Sequence, residues 1–362
     1  MSKLFETTEI NGMKLLNRFV RSATWEGMAT EDGACTGRLV ELMAQLAQGR
    51  VGLIITSHTY VLPEGQAGPW QLGVYKDELI EGLREMTAAV HSRGGNVVLQ
   101  MAHAGLSASS SLTGQKPMAM SKVEEVSESP CKEMTVDEIQ EIVEAFGQAA
   151  RRAKEAGFDG VQIHAAHGYL LSQSLSPFFN RRADAYGGPI ENRARFLLEV
   201  LQRVRATTGA NFPLLVKMNC QDFIEDGLTL EDSVEVGEML QKGGIDAIEL
   251  SGGTFVSGKL GPSRGRIDSE EKEAYFKDSA KVFKERLRVP LMLVGGIRSF
   301  QIAEQLVEEG YADYISMSRP FIREPNLIER WESGDLSRAR CLSDSKCFGP
   351  IKAGKGMSCI HI

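Results

Sequence analysis

The chain has 362 residues, 42% hydrophobic and 25% charged, an ordinary globular composition that excludes a disordered or fibrous protein. Its 41 basic and 48 acidic residues leave a formal charge of −7 with no basic block, which argues against nucleic acid or an anionic membrane as partner. No apolar stretch approaches the roughly 20 residues that span a bilayer, and residues 1–15 are too polar for a secretory signal, so a cytoplasmic protein is expected.

Eight short apolar runs punctuate the chain, at 19–23, 52–56, 97–101, 160–164, 214–218, 247–250, 291–294 and 314–317. Near-continuous Val, Ile and Leu is the pattern of strands buried on both faces, hence of a parallel sheet. After the third run, residues 104–130 are Ser-rich and lack apolar periodicity, which predicts a long loop over the site. Helical patterns follow at 138–156, 191–207 and 230–243. Thr135 stands ahead of Asp137 and Glu138, and Thr229 ahead of Glu231 and Asp232; an oxygen cap followed by negative charge complements a helix N-terminus. Gly157, Gly209, Gly243 and Gly310 stand where a helix hands over to a strand, and are predicted to take the left-handed C-terminal cap. Eight β/α units predict an α/β fold, a single-domain (β/α)8 TIM barrel over 1–335, with a doubly wound open sheet as the alternative. Residues 336–362 are predicted to pack on the barrel as a Cys-containing extension.

Barrel chemistry gathers at the C-terminal strand ends. Gln100 and His103 close the third run, His164, His167 and Tyr169 the fourth, Lys217 the fifth, and Ser251, Gly252 and Gly253 the sixth. Gly295, Gly296 and Arg298 follow the seventh run, and Ser318 and Arg319 the eighth. Backbone amides freed by the glycines, together with a hydroxyl and a forked cation, match a phosphate site at the last two loops. A tight turn beside a surface ion pair would give the same letters. His164 and His167 can together hold a carbonyl oxygen with Tyr169 as proton donor. They also read as hydrogen-bonded core histidines, or as part of a zinc site, which lacks an obvious carboxylate or thiolate partner at a neighbouring strand end. Lys217 implies an anionic or electron-rich ligand, or else snorkels past the rim.

The run HAAHGYLLSQSLSPFFNRRADAYGGPIENRARF at 164–196 resembles the Old Yellow Enzyme family of FMN-dependent oxidoreductases. Asn17-Arg18, Pro63-Glu64-Gly65 and Gln100 to Gly105 add to the likeness, which runs from Leu4 to Trp331. It implies FMN across the barrel mouth with its phosphate on Gly295, Gly296, Ser318 and Arg319. Gln100 would meet the pyrimidine edge, Lys217 would lie beside flavin N1 and O2, and the backbone of Ala23 and Thr24 would face the ring. It further implies an ene-reductase: NADH or NADPH reduces flavin N5, and the hydride passes in a ping-pong cycle to the β-carbon of an α,β-unsaturated carbonyl. His164 and His167 would grip the carbonyl, and Tyr169 would protonate the α-carbon. The departures from the family pattern are Trp25 where relatives carry Thr or Cys, His58 where a small residue is usual, and Leu106 where Arg is common. Trp25 and His58 would therefore shape the small-molecule substrate pocket. Family habit implies a homo-oligomer.

Six cysteines are expected to be free thiols in a reducing compartment. Cys341, Cys347 and Cys359 resemble part of the [4Fe–4S] site of the dienoyl-CoA reductase branch, with Asp344 where a fourth thiolate would stand. The expected metal content is none, a cluster on these three cysteines being the lesser alternative. With the cluster would go a second function, dehydrogenation or demethylation of an amine or ring compound with electrons passed to a partner. A flavin-free barrel is the third. Relatives of this branch continue into a further reductase domain, for which a chain ending at Ile362 is expected to leave no room.

Overall fold

The computed structural model describes residues 2–123, 126 and 130–361. Eight strands close a barrel: β1 Phe19–Arg21, β2 Leu53–Tyr60, β3 Val97–Ala102, β4 Gly160–Ala165, β5 Leu214–Asn219, β6 Ala247–Ser251, β7 Leu291–Leu293 and β8 Tyr314–Met317. Each pairs in parallel with its sequence neighbour, and β8 returns to β1. Closure leaves no unpaired edge, and the open sheet falls away as an alternative.

Helices fill the outer ring: α1 Gly37–Gln48, α2 Ile80–His91, α3 Val136–Glu155, α4 Arg195–Thr208, α5 Leu230–Lys242, α6 Lys277–Arg286, α7 Phe300–Glu308 and α8 Leu327–Glu332. Their apolar faces pack on the outward strand residues, among them Ile54, Leu99, Ile163, Val216 and Leu293, in one large core. The sequence-based helix starts hold. Thr135 and Glu138 form a reciprocal capping box, and the Thr229 side chain accepts from the amide of Asp232.

The caps and one helix differ from expectation: Gly209, at φ 85° and ψ 170°, lies outside the left-handed helical region. Gly243 is right-handed at φ −76°, and the left-handed position is Gly244 at φ 85°, one residue past the cap. The helical pattern at 191–207 is two pieces, Ile190–Arg193 and then α4. Arg193 turns its buried guanidinium inward to the carbonyls of Gly188 and Leu175 and to Asp232 at 2.8 Å, which sets the first piece off from the second.

The barrel interior is layered by the period-two alternation of strands. Val20, Leu53, Ile55, Val98, Leu215, Ala247, Met292 and Tyr314 form an apolar floor. An antiparallel hairpin, Thr8–Ile10 with Met13–Leu15, closes it from the N-terminal end with Ile10, Met13 and Leu15. Two residues further along five of these strands stand Ser22, Gln100, Lys217, Glu249 and Ser316, all buried and polar. The floor is thus dry and the layer above it polar, so the site lies at the C-terminal mouth. Among the described residues no helix is long and apolar enough to cross a membrane.

The loop predicted at 104–130 is built from short pieces rather than left irregular, with turns at Gly105–Ser107 and Ser110–Thr113. A two-stranded sheet joins Met118–Ala119 to Lys132–Glu133. Leu106, Ala119, Val123 and Cys131 bury against Phe179 beside the mouth. Residues 124, 125 and 127–129 of that stretch lie outside the described residues.

Candidate active site

A cleft of about 350 Å³ opens at the mouth, within the range of small-molecule sites. Its walls include Ala23, Thr24, Trp25, His58, Gln100, His164, His167, Tyr169, Lys217, Gly296, Ser318 and Arg319, so residues from seven strand ends converge as the sequence suggested. Ser251 and Arg298 line it too. His103 is not among the lining residues: its ring packs on Gly65, and its Nδ1 accepts from the Gly105 amide. Gly252 and Gly253 shape the loop after β6 without lining the cleft; Gly253 takes φ 78°, and a side chain there would strike the carbonyl of Leu260.

The imidazole pair is one unit. The rings of His164 and His167 lie 5.2 Å apart at 73°, and His164 lies 5.0 Å from the Tyr169 ring. His167 takes φ 67°, an uncommon conformation for a non-glycine residue. It is held there by the Asn219 side chain on its backbone amide at 3.1 Å and by Ser251 Oγ on Nε2 at 2.8 Å. His164 Nδ1 is buried with no protein partner. Burial first, then neighbouring imidazoles and the Lys217 charge at His164, and the Lys217 charge and His58 at His167, hold both pKa values well below 6.5, so both rings are neutral near pH 7. Burial pushes the Tyr169 hydroxyl up, so it keeps its proton. His58 closes the group with its ring 5.4 Å from Tyr169, and burial lowers its pKa to about 4. Among the described residues no group of three or more His, Cys, Asp or Glu side chains is arranged to hold a metal ion.

Lys217 does not snorkel. It is 3% exposed, donates to Ser22 Oγ at 2.7 Å and pairs with Glu249 at 3.2 Å. Glu249, fully buried, also accepts from Ser316 at 2.6 Å and from Gln162 at 3.1 Å; Gln100 in turn donates to Gln162 at 2.7 Å. Burial pushes the Glu249 carboxyl up, but Lys217, Ser316, Ser22 and Gln162 together bring it below the usual glutamate value. Glu249 escaped the sequence reading because it hides inside an apolar run. Its position two residues after inward-facing Ala247 was the available signal.

At the far side, Gly295 and Gly296 take φ 138° and 79°. A side chain at Gly296 would come within 2.8 Å of the Tyr275 ring. Thr24 and Ser318 hydroxyls bond at 2.7 Å. Among the described residues Arg319 makes no ion pair. It donates to the carbonyls of Ser343 at 3.2 Å and Arg264 at 2.7 Å and to Ser345 Oγ at 3.0 Å. Arg298, 2% exposed, donates to Ser343 Oγ at 3.1 Å, while its Nε is buried without a partner. Two partly satisfied buried guanidiniums beside a glycine cradle are what an anionic group requires. The fit to a phosphorylated, polar-edged aromatic cofactor is therefore good, and Trp25 Nε1, another buried donor without a partner on the cleft wall, adds to it.

The C-terminal residues supply what sequence reasoning missed. Ser343 and Ser345 fix both arginines, and Phe348 lines the cleft. Cys341, Cys347, Cys359, Asp344 and His361 line a recess of only about 20 Å³ next to Arg319, and His361 bonds Asp344 at 2.7 Å. All six cysteines are free.

The sequence matches the model of the NADH:flavin oxidoreductase / NADH oxidase family over residues 3–337. An NADH oxidase of Thermoanaerobacter brockii is 34% identical over 359 residues, 96% of this chain and 53% of that protein, so the chain spans about half the length of that relative. A 2-naphthoyl-CoA reductase in complex with 2-naphthoyl-CoA superposes with a TM-score of 0.92 at 27% identity, covering 99% of this chain and 56% of the other. An old yellow enzyme homologue from Zymomonas mobilis superposes with a TM-score of 0.79 at 28% identity, covering 93% and 94%.

Proposed function

The chain belongs to the NADH:flavin oxidoreductase / NADH oxidase family, and on that premise we propose that it is an FMN-dependent reductase of α,β-unsaturated carbonyl compounds, with NADH or NADPH as donor. The observation that carries this reading is the neutral His164–His167 pair with protonated Tyr169 on a cleft whose other end is a glycine and arginine cradle. FMN, when bound, supplies the two-electron chemistry between donor and acceptor. Amides at Gly295, Gly296 and Ser318, with Arg298 and Arg319, would hold its phosphate. Gln100 and Lys217 would meet the polar edge of the ring, and the backbone at Ala23 and Thr24 its flank.

A neutral imidazole has one N–H to donate. His164 and His167 each donate one to the acceptor's carbonyl oxygen and stabilise the negative charge that grows there. Ser251 fixes the His167 ring and Asn219 its backbone amide, so little reorganisation accompanies the reaction. Tyr169 delivers a proton to the α-carbon. Trp25, Phe255 and Phe348 wall the cleft and limit water entry. Six free thiols support a reducing, cytosolic setting.

His167→Ala tests the assignment by stopped flow. We expect oxidation of the reduced protein by an enone to slow by a factor on the order of 100 to 1,000, the usual worth of one such donor, with reduction by saturating NADH little changed. Equal losses in the two half-reactions would reject the role.

A further inference from the structure

Beside the cleft lies a second recess of about 690 Å³, larger than the cleft itself, formed by the loop that follows β6. Its lining carries Lys259, Arg264, Arg266 and Lys272 and no acidic side chain. In a chain with net charge −7 this is a local reversal of sign. The loop's own acids are turned elsewhere. Asp268 pairs with Lys272 at 2.6 Å, Glu273 is buried against the amides of Arg298 and Ser299, and Glu270 and Glu271 do not line the recess. Among the described residues, Lys259, Arg264 and Arg266 have no carboxylate partner within ion-pair distance.

Arg264 is the built part of this recess. Its guanidinium lies 4.4 Å from the Tyr275 ring centre and 5.2 Å from those of Phe223 and Phe276. That stacking fixes the fork, and among the described residues its donors are left uncommitted and Arg264 Nε is buried with no partner. The recess also adjoins the reaction cleft: Ser263 and Tyr275 line both, and the Arg264 carbonyl accepts from Arg319. A ligand whose reactive end enters the cleft can thus lay an anionic tail across these cations.

We propose that this recess is a subsite for the diphosphate-bearing adenosine tail of a nucleotide that reacts in the cleft. The inference rests on the function proposed above and names what that function leaves open, namely where the tail of the reactant is held. Two reactants share the chemistry, a nicotinamide dinucleotide donor and a coenzyme A thioester acceptor. A forked, pre-oriented guanidinium with two lysines and a second arginine suits a diphosphate better than a single carboxylate.

The test uses the FMN-loaded protein and the exposed pair Lys259→Glu with Arg266→Glu, with Lys259→Arg/Arg266→Lys as the charge-keeping control. Anaerobic stopped flow compares NADH with 1-benzyl-1,4-dihydronicotinamide, a donor without phosphates, and the oxidative half-reaction compares crotonyl-CoA with crotonaldehyde. Reversing two charges is expected to weaken the phosphate-bearing partner about tenfold and to flatten its salt dependence, with less than a twofold effect on its phosphate-free counterpart. Loss confined to NADH assigns the tail to the donor, and loss confined to crotonyl-CoA assigns it to the acceptor; either supports the subsite. No loss for either, or equal losses with the phosphate-free compounds, overturns it. Should neither donor reduce the wild-type flavin, the proposed reaction fails instead. Titration with ADP then decides the recess alone, binding to wild type and not to the reversed pair supporting it, and any other result overturning it.

Discussion

Lys217 and Glu249 show how little a single letter says about charge inside a fold. Lysine at a strand end suggested a bare cation facing a ligand. The structure supplies a carboxylate at 3.2 Å, itself held by Ser316 and Gln162, so the layer beneath the cleft is close to neutral. That neutrality tunes any redox group above it. Glu249→Gln keeps the shape and much of the hydrogen bonding and removes one negative charge. The charge of Lys217 is then no longer offset, and an electron-rich reduced ring is favoured. We expect the two-electron potential of bound FMN to rise by about 20–45 mV, equivalent to roughly 1–2 kcal/mol for this couple. Equilibration with a reference dye measures it, and an unchanged or lowered potential would contradict the electrostatic account. His164, His167 and Tyr169 were legible because polar letters clustered after an apolar run. Glu249 was not, because its partner is distant in sequence and near only in the closed barrel.

At the level of single elements, local chemistry predicted well wherever it was self-contained. The capping box of Thr135 and Glu138 needs four consecutive residues and no tertiary contact, and it formed as read. The Gly243–Gly244 cap was off by one because either glycine can take the left-handed position, and the register of the last helical turn decides which does. The turn after β7 is a different case, since its glycines answer to tertiary neighbours. Gly296 at φ 79° lies on the Tyr275 ring, so Gly296→Ala combines left-handed strain of about 1–2 kcal/mol with a clash at 2.8 Å. Gly296→Ala is expected to weaken FMN binding about tenfold or more and to lower the melting temperature by a few degrees. Fluorescence-quenching titration with FMN and a thermal melt check this, and wild-type affinity in the variant would remove Gly296 from the cradle.

For the whole molecule, the barrel buries a set of titratable groups, and that makes stability depend on pH. Burial lowers His58 and His103 to about 4, and it holds His164 and His167 well below 6.5. An unfolded chain takes up protons at these histidines as pH falls through about 6.5, whereas the folded chain does not. The unfolded state therefore binds more protons, stability rises with pH across that window, and it is lost on acidification. Each such histidine contributes a slope of up to about 1.4 kcal/mol per pH unit between 6.5 and its folded value. Urea unfolding of the FMN-free protein from pH 7.5 to 5 is expected to show this loss, reduced in His103→Gln. A flat profile would mean that the buried rings titrate in the folded chain as they do in the unfolded one.

What the sequence determined by itself was the repeating unit. Eight buried apolar runs alternating with capped helices can satisfy their backbone bonds in very few ways, and the closed parallel barrel is one that leaves no edge. It also determined which strand ends carry reactive letters, because those letters break an apolar pattern. Only the tertiary structure decided which charges neutralise one another and which arginines stay free for an anion. It also decided how the last 20 residues fasten Arg298 and Arg319 through Ser343 and Ser345. The reason is physical: backbone preference and hydrophobic period act over a few residues, whereas the energy of a buried charge depends on every group within a few ångströms, whatever its place in the chain.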